Sequence, residues 1–218
     1  MKHVPLTLPL LAGLTALAIL AAPPARADEA KPQVVFEDSL KGKLGKGWTW
    51  TRENPKTWKS SPQGLEIQVE PGVAPTVKNA LVRKSPARDK GKHAYEVTVE
   101  FLAEPTQQFE QGGITWYVDD KPVFKLVHEL IDGKTYIIPS KKPTKTRVMQ
   151  LRLVVDGDMY EAFYRPDGKG EFQSAGTGKL AGGGEDKVSI QCYNGPKEGE
   201  HIVRFSDFRI LELPAKKK

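Results

Sequence analysis

The nearest approach to a catalytic carboxylate set in this chain is Asp156-Gly157-Asp158-Met159-Tyr160-Glu161. Two carboxyl groups about 5–5.5 Å apart can cleave a glycosidic bond, one attacking while the other donates a proton. Asp156-Gly157 is also a hairpin-turn signal, because such turns need positive φ, which glycine adopts freely. The turn reading places both aspartates at a solvent-facing hairpin tip, so no catalytic residue is assigned. His93, His128 and His201 stand apart and lack the spacing of zinc ligands. His128 shares a strand face with Leu126 and Leu130, the setting of a structural histidine. No serine sits in a nucleophile elbow, and no glycine-rich loop opens a helix as phosphate binding requires.

Aromatic and polar residues offer a second chemistry, in which a ring stacks on a flat apolar ligand face and neighbours hydrogen-bond its edge. Trp48-Thr49-Trp50 and Trp58 are interspersed with Arg52, Glu53 and Asn54. Trp48 and Trp50 share a parity suited to plugging the end of a fold, and Trp58, on a Lys-Ser-Ser stretch, is the ring expected to be exposed. In Ile114–Val118 the alternation turns Trp116 inward and leaves Tyr117 on the outer face. Lys125 and Glu129 share a face, about 13 Å apart at strand rise, so the spacing predicts a common groove but no direct pairing. Ser189, Gln191 and Tyr193 form a further polar-aromatic strip.

These residues must be positioned by strands. Leu151, Leu153 and Val155 alternate with Arg152, Val154 and Asp156, and Tyr95, Val97, Val99 and Phe101 alternate with Glu96, Thr98 and Glu100. Turn signals recur at Pro71-Gly72, Asp119-Asp120, Asp132-Gly133, Asp156-Gly157 and Asn194-Gly195. No helix of useful length and no repeat is evident. The pattern predicts one all-β domain, an antiparallel β-sandwich, over residues 34–213. The only cysteine, Cys192, excludes an intrachain disulfide and has the strand parity of Val188 and Ile190, as a small core residue would.

The ends read differently. Lys2, an apolar run over residues 6–22 and Ala25-Arg26-Ala27 form a signal-peptide pattern, with cleavage expected after Ala27. The mature protein is then expected to be exported, periplasmic or extracellular, with no membrane insertion after cleavage. Residues 28–33 read as a flexible leader and 214–218 as a basic tail. The formal net charge of +6 is spread among acidic residues rather than gathered in an aromatic-laced stripe, so no nucleic-acid partner is expected.

Several segments resemble a known superfamily. Phe36-Glu37-Asp38 followed by Trp48-Thr49-Trp50-x-Arg52-x-x-Pro55, then Gly64-Leu65-Glu66-Ile67, is similar to the opening of concanavalin A-like lectin/glucanase domains. Gln111-Gly112-Gly113-Ile114 with Lys125 and Glu129 resembles their central strands, and the 151–176 hairpin with Phe205-Ser206-Asp207-Phe208-Arg209-Ile210 their closing ones. Among such domains are the C-terminal sandwich of β-xylosidases and secreted stand-alone domains of unknown function. The resemblance implies a jelly roll of two curved sheets whose concave face meets carbohydrate. It also raises a structural calcium ion tying the chain ends through Asp38 and Asp207. Glycosidases of this architecture carry Glu-x-Asp-x-x-Glu along a strand, which this chain lacks. The expected function is therefore non-catalytic, lectin-like binding of an oligo- or polysaccharide by a monomer, through Trp58, Trp50, Arg52, Tyr117, Lys125, Glu129, Gln191 and Tyr193. The alternatives are a glycan or disaccharide hydrolase of the same architecture and a structural envelope domain that meets another protein.

Overall fold

The computed structural model describes residues 30–182 and 184–215. The expected signal peptide, residues 28–29 of the leader and the tail lysines Lys216–Lys218 lie outside the described residues. Among the described residues no helix is long and apolar enough to cross a membrane.

The strands are β1 (Gln33–Asp38), β2 (Trp48–Thr51), β3 (Trp58–Ser61), β4 (Gly64–Gln68), β5 (Ala80–Lys84), β6 (Lys92–Phe101), β7 (Gln111–Val118) and β8 (Lys121–Ile131). They continue as β9 (Lys134–Ile138), β10 (Lys142–Thr144), β11 (Val148–Asp156), β12 (Met159–Pro166), β13 (Gln173–Lys179), β14 (Asp186–Tyr193) and β15 (Ile202–Leu213). They build two antiparallel sheets. The first has the order β13-β12-β11-β6-β15-β4-β3, with β1 added on β15, and the second runs β10-β9-β8-β7-β14-β5-β2. The all-β sandwich expected from the alternation is therefore present.

Period-two patterning explains the layering. Tyr95, Val97, Val99 and Phe101 of β6 join Leu151, Leu153 and Val155 of β11 in the core, facing Ile114 and Trp116 of β7 and Val188, Ile190 and Cys192 of β14. Trp116 is fully buried, its ring edge-on to Tyr95 at 5.1 Å, and its indole N–H donates to Asp186 Oδ1 at 3.0 Å. Asp119 and Asp120 both adopt positive φ between β7 and β8, the backbone of a type I′ hairpin, and Gly157 does so between β11 and β12.

Three strands have no clear signal in the sequence. β3 and β10 are short and polar, and β13, Gln173-Ser174-Ala175-Gly176-Thr177-Gly178-Lys179, is rich in glycine. All three are the outermost strands of their sheets or next to an edge turn, where pairing with a stronger neighbour substitutes for propensity.

Basic residues are accounted for on the outer face of the first sheet. Glu96 lies directly opposite Arg152 and Arg209 in register and receives both guanidinium groups, Arg209 Nη2 to Glu96 Oε2 being 2.6 Å. Arg204 bridges Glu66 at 3.0 Å and Glu100 at 2.9 Å in the same way. Charges opposite one another across strands stabilise the sheet locally.

Candidate functional site

The outward face of the second sheet carries the polar residues of the central strands. Gln111, Gly113, Thr115 and Tyr117 of β7 lie between Lys125, Val127 and Glu129 of β8 and Ser189, Gln191 and Tyr193 of β14. An open hollow of about 660 Å³ lies on this face, lined by Gln111, Thr115, Lys125, Glu129 and Tyr193. The rest of its lining is apolar: Phe109, Phe124, Val73 with Pro75, and Ile138 with Pro139. Phe109 is 47% exposed and Val73 51%, and Phe109 holds a φ of 67°, a left-handed backbone that is costly for a bulky residue. That conformation is held by its N–H donating to Leu130 O at 2.8 Å. Phe124 pairs in register with the core residue Trp116, and its ring turns inward onto Tyr160, centroids 4.2 Å apart.

The floor is a closed hydrogen-bond network. Lys125 Nζ donates to Gln111 Oε1 at 2.8 Å and to Glu129 Oε2 at 3.0 Å, and Gln111 Nε2 donates to Glu129 Oε1 at 3.1 Å. The 13 Å spacing suggested that Lys125 and Glu129 would not pair. They do, because two long side chains lean toward each other above Val127 and Gln111 reaches across from β7. Glu129 is only 3% exposed, whereas the Lys125 side chain is 34% exposed and so presents its ammonium to the hollow. Burial pushes the Tyr193 phenol well above its ordinary pKa, and the nearby Glu129 carboxylate adds to the rise. Tyr193 therefore stays a neutral hydroxyl. Thr115 is buried in the floor, between Lys125 and Ser189 in register.

Tyr117 and Gln191 lie on the same sheet face but beneath a covering segment. The Tyr117 hydroxyl meets Gln191 Oε1 at 2.9 Å and Ala74 O at 3.2 Å, and Gln191 is fully buried. Burial raises the Tyr117 phenol pKa, Arg52 opposing the rise. These two residues are thus supports of the site rather than contact residues.

The aromatic segment is elsewhere. Trp50 on β2 and Trp58 on β3 stack at 4.6 Å, closing the sandwich edge where the outermost strands of the two sheets meet. Trp58 is half-buried and its indole N–H donates to Glu53 Oε1 at 3.2 Å, so the expectation of an exposed stacking ring is corrected. Arg52 donates from Nε to Val77 O at 2.6 Å and from Nη2 to Ala74 O at 3.4 Å, fastening backbone rather than facing ligand.

The chain-end aspartates do not suit calcium. Asp38 accepts from Leu40 N at 2.8 Å, Gly45 N at 2.7 Å and Trp48 Nε1 at 2.9 Å, so both its oxygens already face N–H donors. Asp207 sits at an irregularity in β15 with a φ of 55°, 57% exposed, with Lys41 Nζ 3.9 Å away. Calcium takes six to eight oxygens, and among the described residues no three His, Cys, Asp or Glu side chains gather. Asp156 and Asp158 flank the β11–β12 turn, and Asp156 is exposed. Cys192 is buried, and burial raises its thiol pKa.

No family model and no curated protein matches the chain. Solved structures do. The GH43 protein BlXynB from Bacillus licheniformis superposes with a TM-score of 0.67 at 19% identity, over 81% of this chain and 39% of that one. The fold is that of the concanavalin A-like sandwiches. Xylan beta-1,4-xylosidase from Bacillus halodurans C-125 gives a TM-score of 0.63 at 14% identity, over 87% of this chain and 41% of that one. A functionally unknown protein from Saccharomyces cerevisiae gives 0.53 at 15% identity, over 78% of this chain and 98% of the other. The expected likeness to β-xylosidase sandwiches holds, and this chain spans about two-fifths of those first two chains. At such identities the likeness establishes the fold, and function rests on the site.

Phe109 and Thr115 were not among the expected contact residues, and Gln111 entered only through the resemblance. Gln111 and Thr115 have the parity of Tyr117, so that signal was present. Phe109 had none, since an exposed and a buried ring look alike in sequence.

Proposed function

We propose that this protein is an exported, non-catalytic carbohydrate-binding domain that seats a neutral sugar in the hollow on the second sheet. The observation that carries the reading is the combination of an apolar wall and a fixed polar floor. Phe109, 47% exposed, offers its ring to the C–H face of a pyranose, while the Lys125 ammonium, one-third exposed and held in place by Gln111 and Glu129, offers a donor to its hydroxyls. The floor's single cation and single anion neutralise each other, which suits an uncharged polyol better than a uronate. Among the described residues Glu129 is the only carboxylate lining the hollow, whereas hydrolysis by paired carboxylates needs two. The likeness in fold to BlXynB and to a xylan beta-1,4-xylosidase makes xylo-oligosaccharides sensible first probes.

The test is a panel of xylo-, cello- and manno-oligosaccharides with their parent polysaccharides, applied to the wild type and to Phe109→Ala. Binding to one sugar class, weakened about 5- to 30-fold in the variant as loss of one stacking ring implies, supports the reading. Silence across the panel, or equal binding by both proteins, overturns it. Product formation from any panel member would replace binding with hydrolysis.

A further inference from the structure

The sheet that carries the hollow should present a trough crossing all of its strands, yet part of that face is shut. Chain lies directly on it: the Tyr117 hydroxyl, which points away from the core with Ser189 and Gln191, meets Ala74 O at 3.2 Å. The cover is the connection between β4 and β5, residues 69–79, which crosses from one sheet to the other over β14.

This connection is fixed along its length. Asn194 N donates to Gly72 O at 3.0 Å and Gly195 N to Glu70 O at 3.0 Å. Arg52 holds Val77 O and Ala74 O as described above, and Asn79 N donates to Arg52 O at 3.1 Å. Asn79 is itself 1% exposed, receives Asn54 N at 2.7 Å and donates to Thr57 Oγ1 at 2.8 Å. Val77 is buried, and its N–H donates to Val73 O at 2.9 Å. Gly195 shows how closely the cover is seated: a Cβ there would lie 1.7 Å from Val69 O, so only glycine fits. Such a segment is a wall, and Val73, Ala74 and Pro75 form that side of the hollow.

Resting on the carbohydrate reading above, we infer that the site recognises the end of a sugar chain and cannot seat its middle. The walled floor runs from Tyr193 on β14 across β7 and β8 to Ile138 on β9. That is three strand spacings of about 4.8 Å, or roughly 14 Å, room for two pyranose rings. A polysaccharide lying across the sheet would run into Val73–Pro75, whereas a chain terminus abuts the wall and its remainder leaves over β9. The polar groups that an open trough would offer on β14 are instead consumed beneath the cover, where Gln191 Oε1 takes both Tyr117 and Ser189 hydroxyls. Gln191 Nε2 is left without a partner. Exchanging its amide ends would merely leave the oxygen bare instead, so this residue serves the wall's foundation and lies out of a ligand's reach.

Oligosaccharides of one to six units from the xylo-, cello- and manno-series, and their parent polymers before and after chemical capping of the chain ends, decide the matter. The expected result is affinity that levels off within about twofold beyond the second unit, where each further seated unit contributing 1.4 kcal/mol would add tenfold. Polymer binding should follow the number of chain ends and disappear on capping. Affinity that climbs through six units, or polymer binding indifferent to capping, overturns chain-end recognition while leaving carbohydrate binding intact. Silence with every probe overturns both. Replacing residues 73–76 by two glycines should open the trough and make binding of capped polymer appear. If that variant does not fold, the length series on the wild type still decides.

Discussion

Replacing Lys125 by methionine removes the ammonium from the floor while nearly conserving the shape of the side chain. Glu129, 3% exposed, would then keep a buried charge whose remaining partner is Gln111 Nε2 at 3.1 Å. Removing one member of a fully buried ion pair costs roughly 3–5 kcal/mol, and an exposed pair contributes about 0–1. Lys125 is one-third exposed and Gln111 still serves the carboxylate, so Lys125→Met should destabilise the fold by about 2 kcal/mol. In a domain of this size that corresponds to a fall in Tm of about 4–8 °C. Glu129→Gln should cost about 1–2 kcal/mol, because its single amide oxygen can accept from only one of Lys125 and Gln111 and its NH2 then faces the other donor. The double variant should recover at least half of the Lys125→Met loss, since no uncompensated charge remains. Urea denaturation of the four proteins of the cycle measures this directly. A Lys125→Met protein as stable as the wild type, or strictly additive effects in the double variant, would refute the argument that the floor is a coupled, preorganised network.

Trp58→Ala should destabilise by about 2 kcal/mol through loss of the half-buried stack on Trp50, with oligosaccharide affinity unchanged. A folded variant that had lost sugar binding would instead put the ligand at the sandwich edge. Gly195→Ala should cost about 1–3 kcal/mol by thermal melting, because its new Cβ cannot coexist with Val69 O without backbone movement. Full stability in that variant would show that the cover is not tightly seated. His128 is buried against Phe101, and burial lowers its pKa to about 4 from 6.5. The unfolded chain therefore binds this proton first on acidification. The contribution is fully present above pH 6.5 and is lost as pH falls toward 4, by roughly 3 kcal/mol in total. In His128→Leu that part of the slope should be absent from denaturation curves between pH 7 and 4.5, and an unchanged slope would contradict the assignment.

The sandwich was legible because its core strands alternate over long runs. β6 and β11 each place apolar residues on every second position, and the Asp156-Gly157 and Asp119-Asp120 turns fix where neighbours reverse. The same parity put Tyr117, Lys125, Glu129, Gln191 and Tyr193 on one face, where the structure places them. Parity does not reveal what lies above a face. The β4–β5 connection decides which of those residues meet solvent, and its path depends on contacts such as Arg52 to Val77 O, 25 residues apart in sequence. Trp58 misled for a related reason. Its polar neighbours Lys59, Ser60 and Ser61 suggested exposure, but its partner is Trp50 across the sandwich edge. The Lys125–Glu129 pair was missed because strand rise fixes backbone spacing and leaves out side-chain reach.

The central claim is that sugar sits in the hollow beside Phe109 and Lys125. Amide chemical-shift mapping of the isotopically labelled protein, titrated with the oligosaccharide that binds best in the panel, tests it most directly. The account expects shifts at Gln111, Thr115, Lys125, Glu129, Tyr193 and the 73–75 wall, with Trp58 and the outer face of the first sheet unmoved. Shifts centred on Trp50 and Trp58, or on the Glu96–Arg209 face, would contradict it.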